Sequence, residues 1–267
     1  MNTFKAEVNK IILALTSVGI VILLMFPVSL SADHFRYGTM SWEPVSDNGT
    51  HKTVRLKMQN GWTADHDYFN DSYLVNPGDT KFYVKNAGYL SGKVLIENFS
   101  WGDSSTSNIV VKVLSRDNAS NNIITEIGDN SSAWTTGLTH SYSGNGPYVI
   151  SWGTQAREAT ENYPAIDVQW RNETLVNLGE AYDNNTSPVS AVPPVIQVQD
   201  NTTFTYQVTS SDTTGDNLTY RWGTRAEFFG SSGDFVMPTG MTLSSTGLIE
   251  WNVLDNNSAI VDTEEDE

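Results

Sequence analysis

The sequence predicts an all-β protein: two antiparallel β-sandwich units follow an N-terminal export segment, and the second sandwich is incomplete. Short runs with alternating apolar and polar residues recur along the chain, separated by Gly, Asn and Pro. The clearest run is Lys52 to Gln59, where Val54, Leu56 and Met58 alternate with polar neighbours, as in a half-buried strand. No persuasive helical period occurs after residue 32, and many short strands with such turns are typical of sandwiches.

Residues 1–31 are predicted to be a signal peptide. Lys5 and Lys10 precede an apolar run from Ile11 to Phe26, and Ser29-Leu30-Ser31 supplies small residues for cleavage after Ser31. The alternative is an uncleaved signal anchor, because the run approaches a spanning length. A secreted or cell-surface location is expected in both cases, and contact with a membrane is expected only through this segment if it is uncleaved.

Domain boundaries follow from composition. Predicted strands at 34–42, 52–59, 94–101, 109–114, 121–127, 134–142, 148–152 and 169–178 form a first unit over 33–182, with a loop at 153–164. A Pro-containing linker covers 183–195. The second unit covers 189–255 and the acidic tail 256–267 is predicted to be disordered.

The strongly acidic composition narrows the partners. There are 15 Lys and Arg against 31 Asp and Glu, a net charge of −16. Such a surface repels nucleic acid and attracts cations, so nucleic-acid partners are excluded. Cysteine is absent, so stability must come from the core, glycans or a metal. No nucleophile elbow, His-Glu-x-x-His or phosphate-binding loop is present, and we expect no enzymatic activity.

Asn-x-Ser/Thr sequons support export and are predicted sites of N-linked glycans. They lie at Asn48, Asn70, Asn98, Asn118, Asn130, Asn172, Asn184, Asn201, Asn217 and Asn256. Asn185 begins a further sequon that overlaps the one at Asn184, and at most one of the two should carry a glycan.

The acidic stretch Asp212-Thr-Thr-Gly-Asp-Asn-Leu-Thr-Tyr-Arg-Trp222 predicts a tight turn followed by a strand. Gly215 can adopt the positive φ of a sharp turn, and Leu218, Tyr220 and Trp222 have strand periodicity. Asp212 and Asp216, with Asp183 from the linker, could supply oxygen ligands to calcium. The alternative, slightly favoured, is a metal-free turn whose Asp side chains bond backbone N–H groups.

The second unit resembles cadherin-like, immunoglobulin-type modules of secreted and surface proteins, including the dystroglycan type. The resemblance rests on Asn185-Thr-Ser-Pro188, Asp212–Tyr220 and Pro238-Thr-Gly-Met-Thr-Leu-Ser-Ser-Thr-Gly-Leu-Ile249. Here Thr213 and Thr214 replace the family's Pro and middle Asp. Gly247 is predicted to turn a hairpin between Met241–Leu243 and Leu248–Trp251. Related modules continue with further strands after this hairpin. Two alternatives are therefore open: a truncated relative of longer proteins, or an open sheet edge that receives a partner strand.

The first unit is similar to a much-elaborated PKD-like (polycystic-kidney-disease) domain. Trp101-Gly-Asp-Ser-Ser-Thr106 matches that family's Gly-Asp turn, and Thr139-His-Ser-Tyr142 with Gly146-Pro-Tyr-Val-Ile150 matches its strand pair. The resemblance implies that His140 caps or hydrogen-bonds within the sandwich. Both families are structural and adhesive, so the resemblance implies a cell-adhesion or matrix module, and its partner at the surface is predicted to be a protein or a carbohydrate.

Carbohydrate binding is the alternative function. Exposed aromatic rings stack on sugars, whereas buried rings fill the core. Trp62 and Trp134 lie beside polar, turn-like residues and are the candidate sugar-binding residues.

Overall fold

A computed structural model describes residues 35–64, 76–78, 80–83, 99–107, 109–129, 134–157, 168–179, 184–193, 196, 202–229 and 238–252. The predicted signal peptide, the acidic tail, Asp183 and the sequons at Asn70, Asn98, Asn130, Asn201 and Asn256 lie outside the described residues. Residues Ala32–Glu267 form one compact unit.

The described chain is nearly all β, which confirms the predicted fold class. Its first nine strands are β1 (Phe35–Asp47), β2 (Lys52–Thr63), β3 (Thr80–Tyr83), β4 (Ile109–Asp117), β5 (Asn122–Asp129), β6 (Thr135–Thr136), β7 (Leu138–Tyr142), β8 (Tyr148–Arg157) and β9 (Val168–Val176). They form one hydrogen-bonded sheet in the order β3-β4-β5-β2-β1-β8-β9, with β6 on β5 and β7 on β2.

Strand β2 organises this sheet because it pairs with three strands. Along one edge it pairs antiparallel with β1. Along the other edge, Lys52–Leu56 pair with β7 and Gln59–Thr63 pair with β5. The alternation predicted for β2 is confirmed, since Val54, Leu56 and Met58 are all buried.

The core is unusually aromatic. Phe35 and Trp170 stack with ring centroids 3.5 Å apart, and Trp152 meets Trp170 edge-on at 4.5 Å. Such ring pairs stabilise a core beyond the area they bury. Aliphatic side chains of β2, β4, β5 and β8 fill the remaining space, among them Val54, Leu56, Ile109, Val111, Val113, Ile123, Ile127 and Ile150.

The later residues form smaller sheets. Strands β10 (Val189–Ser190) and β12 (Ser210–Ser211) make a two-stranded sheet, whereas β11 (Thr203–Gln207), β14 (Leu248–Asn252) and β13 (Met241–Leu243) make a three-stranded sheet in that order. Gly247, at φ +91°, turns the β13–β14 hairpin as predicted.

Two expectations about elements are wrong. Strand β8 extends to Arg157, into the predicted 153–164 loop, because it pairs with β9. Residues 212–222 form no strand: Tyr220 donates its N–H to the Ser245 carbonyl, but no ladder continues, and Trp222 is 39% exposed.

A short helix, α1, spans Arg225–Phe229, and its 5 residues are too few to give a helical period in the sequence. The Thr224 N–H donates to Glu227 Oε2, and the Glu227 N–H donates to Thr224 Oγ1. This is a reciprocal capping box, which satisfies two N–H groups that a helix start leaves free. The Thr-x-x-Glu spacing in the sequence was the signal for it.

Candidate functional site

The turn at Trp101–Ser105 lies against strand β8. Ser100 and Ser151 exchange two backbone hydrogen bonds, which hold the start of the turn. Gly102 has φ +84°, and a Cβ built on it would come within 2.7 Å of the Val149 backbone. Only glycine satisfies both the positive φ and the close approach. The turn therefore holds Asp103 and Ser105 in fixed positions beside β7.

Asp103, Ser105 and His140 form a hydrogen-bonded cluster. Asp103 Oδ2 lies 2.8 Å from His140 Nε2, and Asp103 Oδ1 accepts bonds from the Ser105 N–H (2.9 Å) and hydroxyl. Burial raises the pKa of Asp103, but the bonds from Ser105 and His140 together outweigh it and lower the pKa to about 2. The carboxylate therefore stays ionised down to strongly acidic pH.

The cluster does not have the geometry of a catalytic triad. In a triad, the imidazole uses one ring nitrogen for the serine and the other for the aspartate. Here both Asp103 Oδ2 and Ser105 Oγ lie at Nε2 of His140, at 2.8 and 3.3 Å. No route leads from the hydroxyl through the ring to the carboxylate, so the arrangement fastens the turn to β7. The hydrogen-bonding role predicted for His140 is confirmed.

Aromatic rings complete this anchor. The His140 ring stacks on Trp101 at 4.6 Å and meets Tyr142 edge-on at 4.6 Å, and Tyr142 stacks on Tyr148 at 4.1 Å. The Tyr142 hydroxyl donates to the Trp101 carbonyl at 2.8 Å. Burial, followed by the negative charge of Asp103 and by Tyr148, raises the pKa of Tyr142, so this hydroxyl keeps its proton.

Trp62, a predicted sugar-binding residue, is in the core. It is 3% exposed, and its ring lies 5.3 Å from Phe35 and 6.0 Å from Trp170. Its indole N–H donates to Thr125 Oγ1. The prediction of an exposed ring is therefore wrong for Trp62. Its neighbours in β2 are buried with it, so their polar character does not place the ring at the surface.

Trp134 is half-buried on the sheet surface. Its indole N–H donates to Glu126 Oε1 at 2.8 Å, and Lys112 Nζ lies 5.1 Å from the ring centroid. The ring also lies so close to Gly128 that any side chain there would overlap it. These contacts account for Trp134 as a packing residue, and its role in sugar binding stays a prediction.

In the acidic turn, the Asp212 carboxylate accepts hydrogen bonds from the turn itself. Asp212 Oδ1 accepts bonds from the Thr214 N–H (2.8 Å), the Thr214 hydroxyl (2.6 Å) and the Asp216 N–H (3.4 Å). The hydroxyl bond from Thr214 is the main cause of the lowered pKa of Asp212. Within the ranges that the structure describes, no group of three His, Asp or Glu side chains could hold a metal ion. Calcium binding at Asp212, Asp216 and Asp183 stays a prediction.

Hydrogen bonds to Trp42 of β1 hold the linker against the nine-stranded sheet. The Trp42 N–H donates to Ser187 Oγ at 2.6 Å, and the Ser187 N–H donates to the Trp42 carbonyl at 3.0 Å. Trp42 and Ser187 are both buried. The Trp42 indole N–H also donates to the Leu175 carbonyl. The acidic turn contacts the same linker, because the Thr214 hydroxyl lies 3.1 Å from Asn185 Oδ1 and the Thr213 hydroxyl lies 2.8 Å from that of Thr186.

The described sequons differ in their surroundings. Asn48, Asn118, Asn184 and Asn217 are exposed. Asn172 is half-buried in β9, with its Nδ2 directed at Asn60 Oδ1 (3.5 Å) and packed tightly against Gly38. A glycan on Asn172 would have to displace this contact, and glycosylation at Asn172 stays a prediction.

The family model for integrin beta-like protein A-E, N-terminal, matches residues 36–179, more than half of the chain. The chain belongs to this family. A second model, the Putative Ig domain, matches residues 186–261. The two families indicate an extracellular module of the adhesion type; the cadherin-like, dystroglycan-type and PKD-like assignments stay predictions.

A curated relative supports the same assignment. Integrin beta-like protein C of Dictyostelium discoideum is 26% identical over 231 residues, which is 81% of this chain. The chain spans only 10% of the length of that relative. No solved structure matches the chain. In the described ranges, no helix is long and apolar enough to cross a membrane.

Two features of the site were not predicted as such from the sequence: the Asp103–His140 contact and the Trp42–Ser187 contact. The first had a signal, since Trp-Gly-Asp and His-x-Tyr are both present. The second depends on which edge of β1 is left free of strand pairing, and no local pattern reports that.

Proposed function

We propose that this member of the integrin beta-like N-terminal family is a non-enzymatic adhesion module, exported to the cell surface or matrix, that binds a protein partner. The observation that carries the proposal is that the Asp-Ser-His cluster of the described residues has a structural role and not a catalytic one. Asp103, Ser105 and His140 are all engaged in holding one turn to one strand. A rigid sheet built in this way offers its surface, and not a reaction centre, to other molecules.

The proposed contact surface is the outer face of β8 and β9 at Val149 and Leu175. These residues are directly opposite each other in the antiparallel pair, and they are 39% and 57% exposed. Adjacent exposed apolar side chains favour contact with another protein, because burying them releases ordered water. The surrounding acidic chain would keep the free module soluble.

Export is tested by cell fractionation together with the intact mass of the exported form. A mass that begins after Ser31 would support cleavage of residues 1–31. Recovery of the full chain only from the cytosol would contradict the proposal.

Adhesion is tested with beads coated with the exported chain. We expect them to attach to the surface of the cells that produce it more than albumin-coated beads do. Leu175→Asp should reduce attachment, because it places a charge on the contact surface. Val45→Asp is the matched control, since Val45 is 45% exposed on β1. Attachment equal to that of albumin beads, or an equal loss in both variants, would refute the proposal.

A further inference from the structure

A polar cleft lies between the end of the β1–β2 hairpin and the linker. Its lining residues are Pro44, Val45, Ser46, Asp47, Lys52, Thr53, Leu178, Asn184 and Asn185, and its volume is about 320 Å³. This is at the small end of the ~300–1,000 Å³ range of ligand clefts. The cleft belongs to neither the Asp103 cluster nor the proposed contact surface.

The lining of the cleft combines donors, acceptors and a short apolar strip. Lys52 Nζ donates to the Leu178 carbonyl at 2.6 Å and lies 3.8 Å from Asp47 Oδ2. The hydroxyls of Ser46 and Thr53 both donate and accept, whereas Pro44 and Val45 are apolar. A ligand that matches this lining has many hydroxyl or amide groups and one apolar ring face, which is the chemistry of a sugar.

The two overlapping sequons at the cleft are not equivalent. Asn185 is half-buried, and its Oδ1 lies 3.1 Å from the Thr214 hydroxyl, so its side chain lies against the acidic turn. Asn184 is exposed and has φ +64°, a left-handed conformation that asparagine tolerates better than most residues. Asn184 is therefore the member of the pair whose side chain is presented for modification.

We propose that the cleft is the seat of an N-linked glycan carried by Asn184. In the secretory pathway, Asn184 Nδ2 forms a bond to C1 of the first N-acetylhexosamine. The bond between C1 and the phosphate oxygen of a lipid diphosphate-linked oligosaccharide breaks, the lipid diphosphate leaves, and the amide nitrogen loses one proton.

Covalent attachment explains how a shallow cleft would hold a sugar. Asn184 is at once a lining residue and the point of attachment, so the first sugar residues have a high effective concentration at Asp47, Lys52 and Val45. A seated glycan bridges the linker and the β1–β2 hairpin. It would therefore add to the Trp42–Ser187 hydrogen bonds in holding the linker against β1.

The first test measures occupancy, and it rests on the proposed export of the chain. The full chain is expressed in a eukaryotic secretory host, and glycopeptides are quantified by mass spectrometry. We expect Asn184 to be occupied and Asn185 to be empty. Asn217, an exposed sequon outside the cleft lining, is the internal control.

The second test measures seating. Hydrogen exchange is compared for residues 44–53 in the glycosylated chain, in Asn184→Asp and in Asn217→Asp. We expect exchange in this segment to be several-fold faster in Asn184→Asp than in the glycosylated chain, and unchanged in Asn217→Asp. If that variant does not fold, the folded wild-type glycoprotein is treated with an amidase that removes N-linked glycans, which leaves Asp at position 184.

The outcomes separate this inference from the proposed function. Occupancy at Asn217 with none at Asn184 overturns the glycan seat and leaves the adhesion proposal intact. Occupancy at Asn184 without any change in exchange at 44–53 also overturns the seat. A chain that stays inside the cell with every sequon empty overturns both proposals.

Discussion

Replacing Asp103 by Asn should destabilise the protein in a pH-dependent way. Asn keeps the shape of the side chain but removes the negative charge that accepts bonds from His140 Nε2 and from the Ser105 N–H and hydroxyl. Hydrogen bonds to a charged group are roughly twice as strong as those between neutral groups. The turn at Trp101–Ser105 should therefore be held less firmly to β7.

The magnitude follows from the pKa of Asp103. Folding lowers it from 3.8 to about 2, and each unit corresponds to about 1.4 kcal/mol. The full shift is therefore worth about 2–3 kcal/mol, and because the side chain is 25% exposed, solvent screening reduces this toward ~1 kcal/mol. Because the folded-state pKa is the lower one, this stability is present above about pH 4 and is lost as the pH falls to about 2.

The assay is urea unfolding followed by tryptophan fluorescence at pH 7 and at a series of values down to pH 2. Asp103→Asn should unfold at lower urea at pH 7, and its difference from wild type should shrink toward pH 2. Asp117→Asn is a suitable control, because Asp117 also accepts bonds from a following N–H and Ser hydroxyl but contacts neither of the two described histidines, His51 and His140. Equal stability of wild type and Asp103→Asn at pH 7, or a constant difference at all pH values, would refute the reasoning.

Three further predictions concern packing and metal binding. Trp170→Ala should cost ~3–5 kcal/mol in urea unfolding, because Trp170 is buried against three other rings; a loss below 1 kcal/mol would contradict the description of the core. Gly102→Ala should destabilise by more than ~1 kcal/mol, through its positive φ and the approach to Val149, whereas Gly49→Ala, which meets no neighbour, measures the φ cost alone; equal losses would contradict the close approach. In the metal-free turn that the sequence slightly favours, millimolar calcium leaves the melting temperature unchanged, because Asp212 Oδ1 already accepts hydrogen bonds within the turn; a rise that Asp216→Ala abolishes would instead establish the predicted calcium site.

The sequence predicts the fold wherever a residue's orientation follows from its strand. Val54, Leu56 and Met58 were assigned to one face because successive side chains of a strand alternate, and they are all buried. The same rule fails at Trp222, because residues 212–222 do not form a strand. Alternation then says nothing about which side faces the core.

The candidate site could be predicted only where a motif joins distant residues. The Trp-Gly-Asp and His-x-Tyr patterns are the sequence signals for the turn at Trp101–Ser105 and for β7, but the Asp103–His140 contact between them was not predicted. Trp62 was misassigned because polar neighbours describe the local sequence, whereas burial depends on the rings that arrive from β1, β8 and β9. The cleft depends on the register of the β1–β2 hairpin and on the course of the linker, and neither leaves a local pattern in the sequence.

The pairing of β2 with β1, β5 and β7 has a consequence for how the protein comes apart. Because one continuous backbone supplies hydrogen bonds to both β5 and β7, neither of these strands can separate without exposing part of β2. Opening should therefore be cooperative across β1, β2, β5 and β7, with all their slowest-exchanging amides released in the same event. Proteases acting on the native molecule would then cut loops or digest this sheet completely, and no stable fragment holding only half of β2 would accumulate.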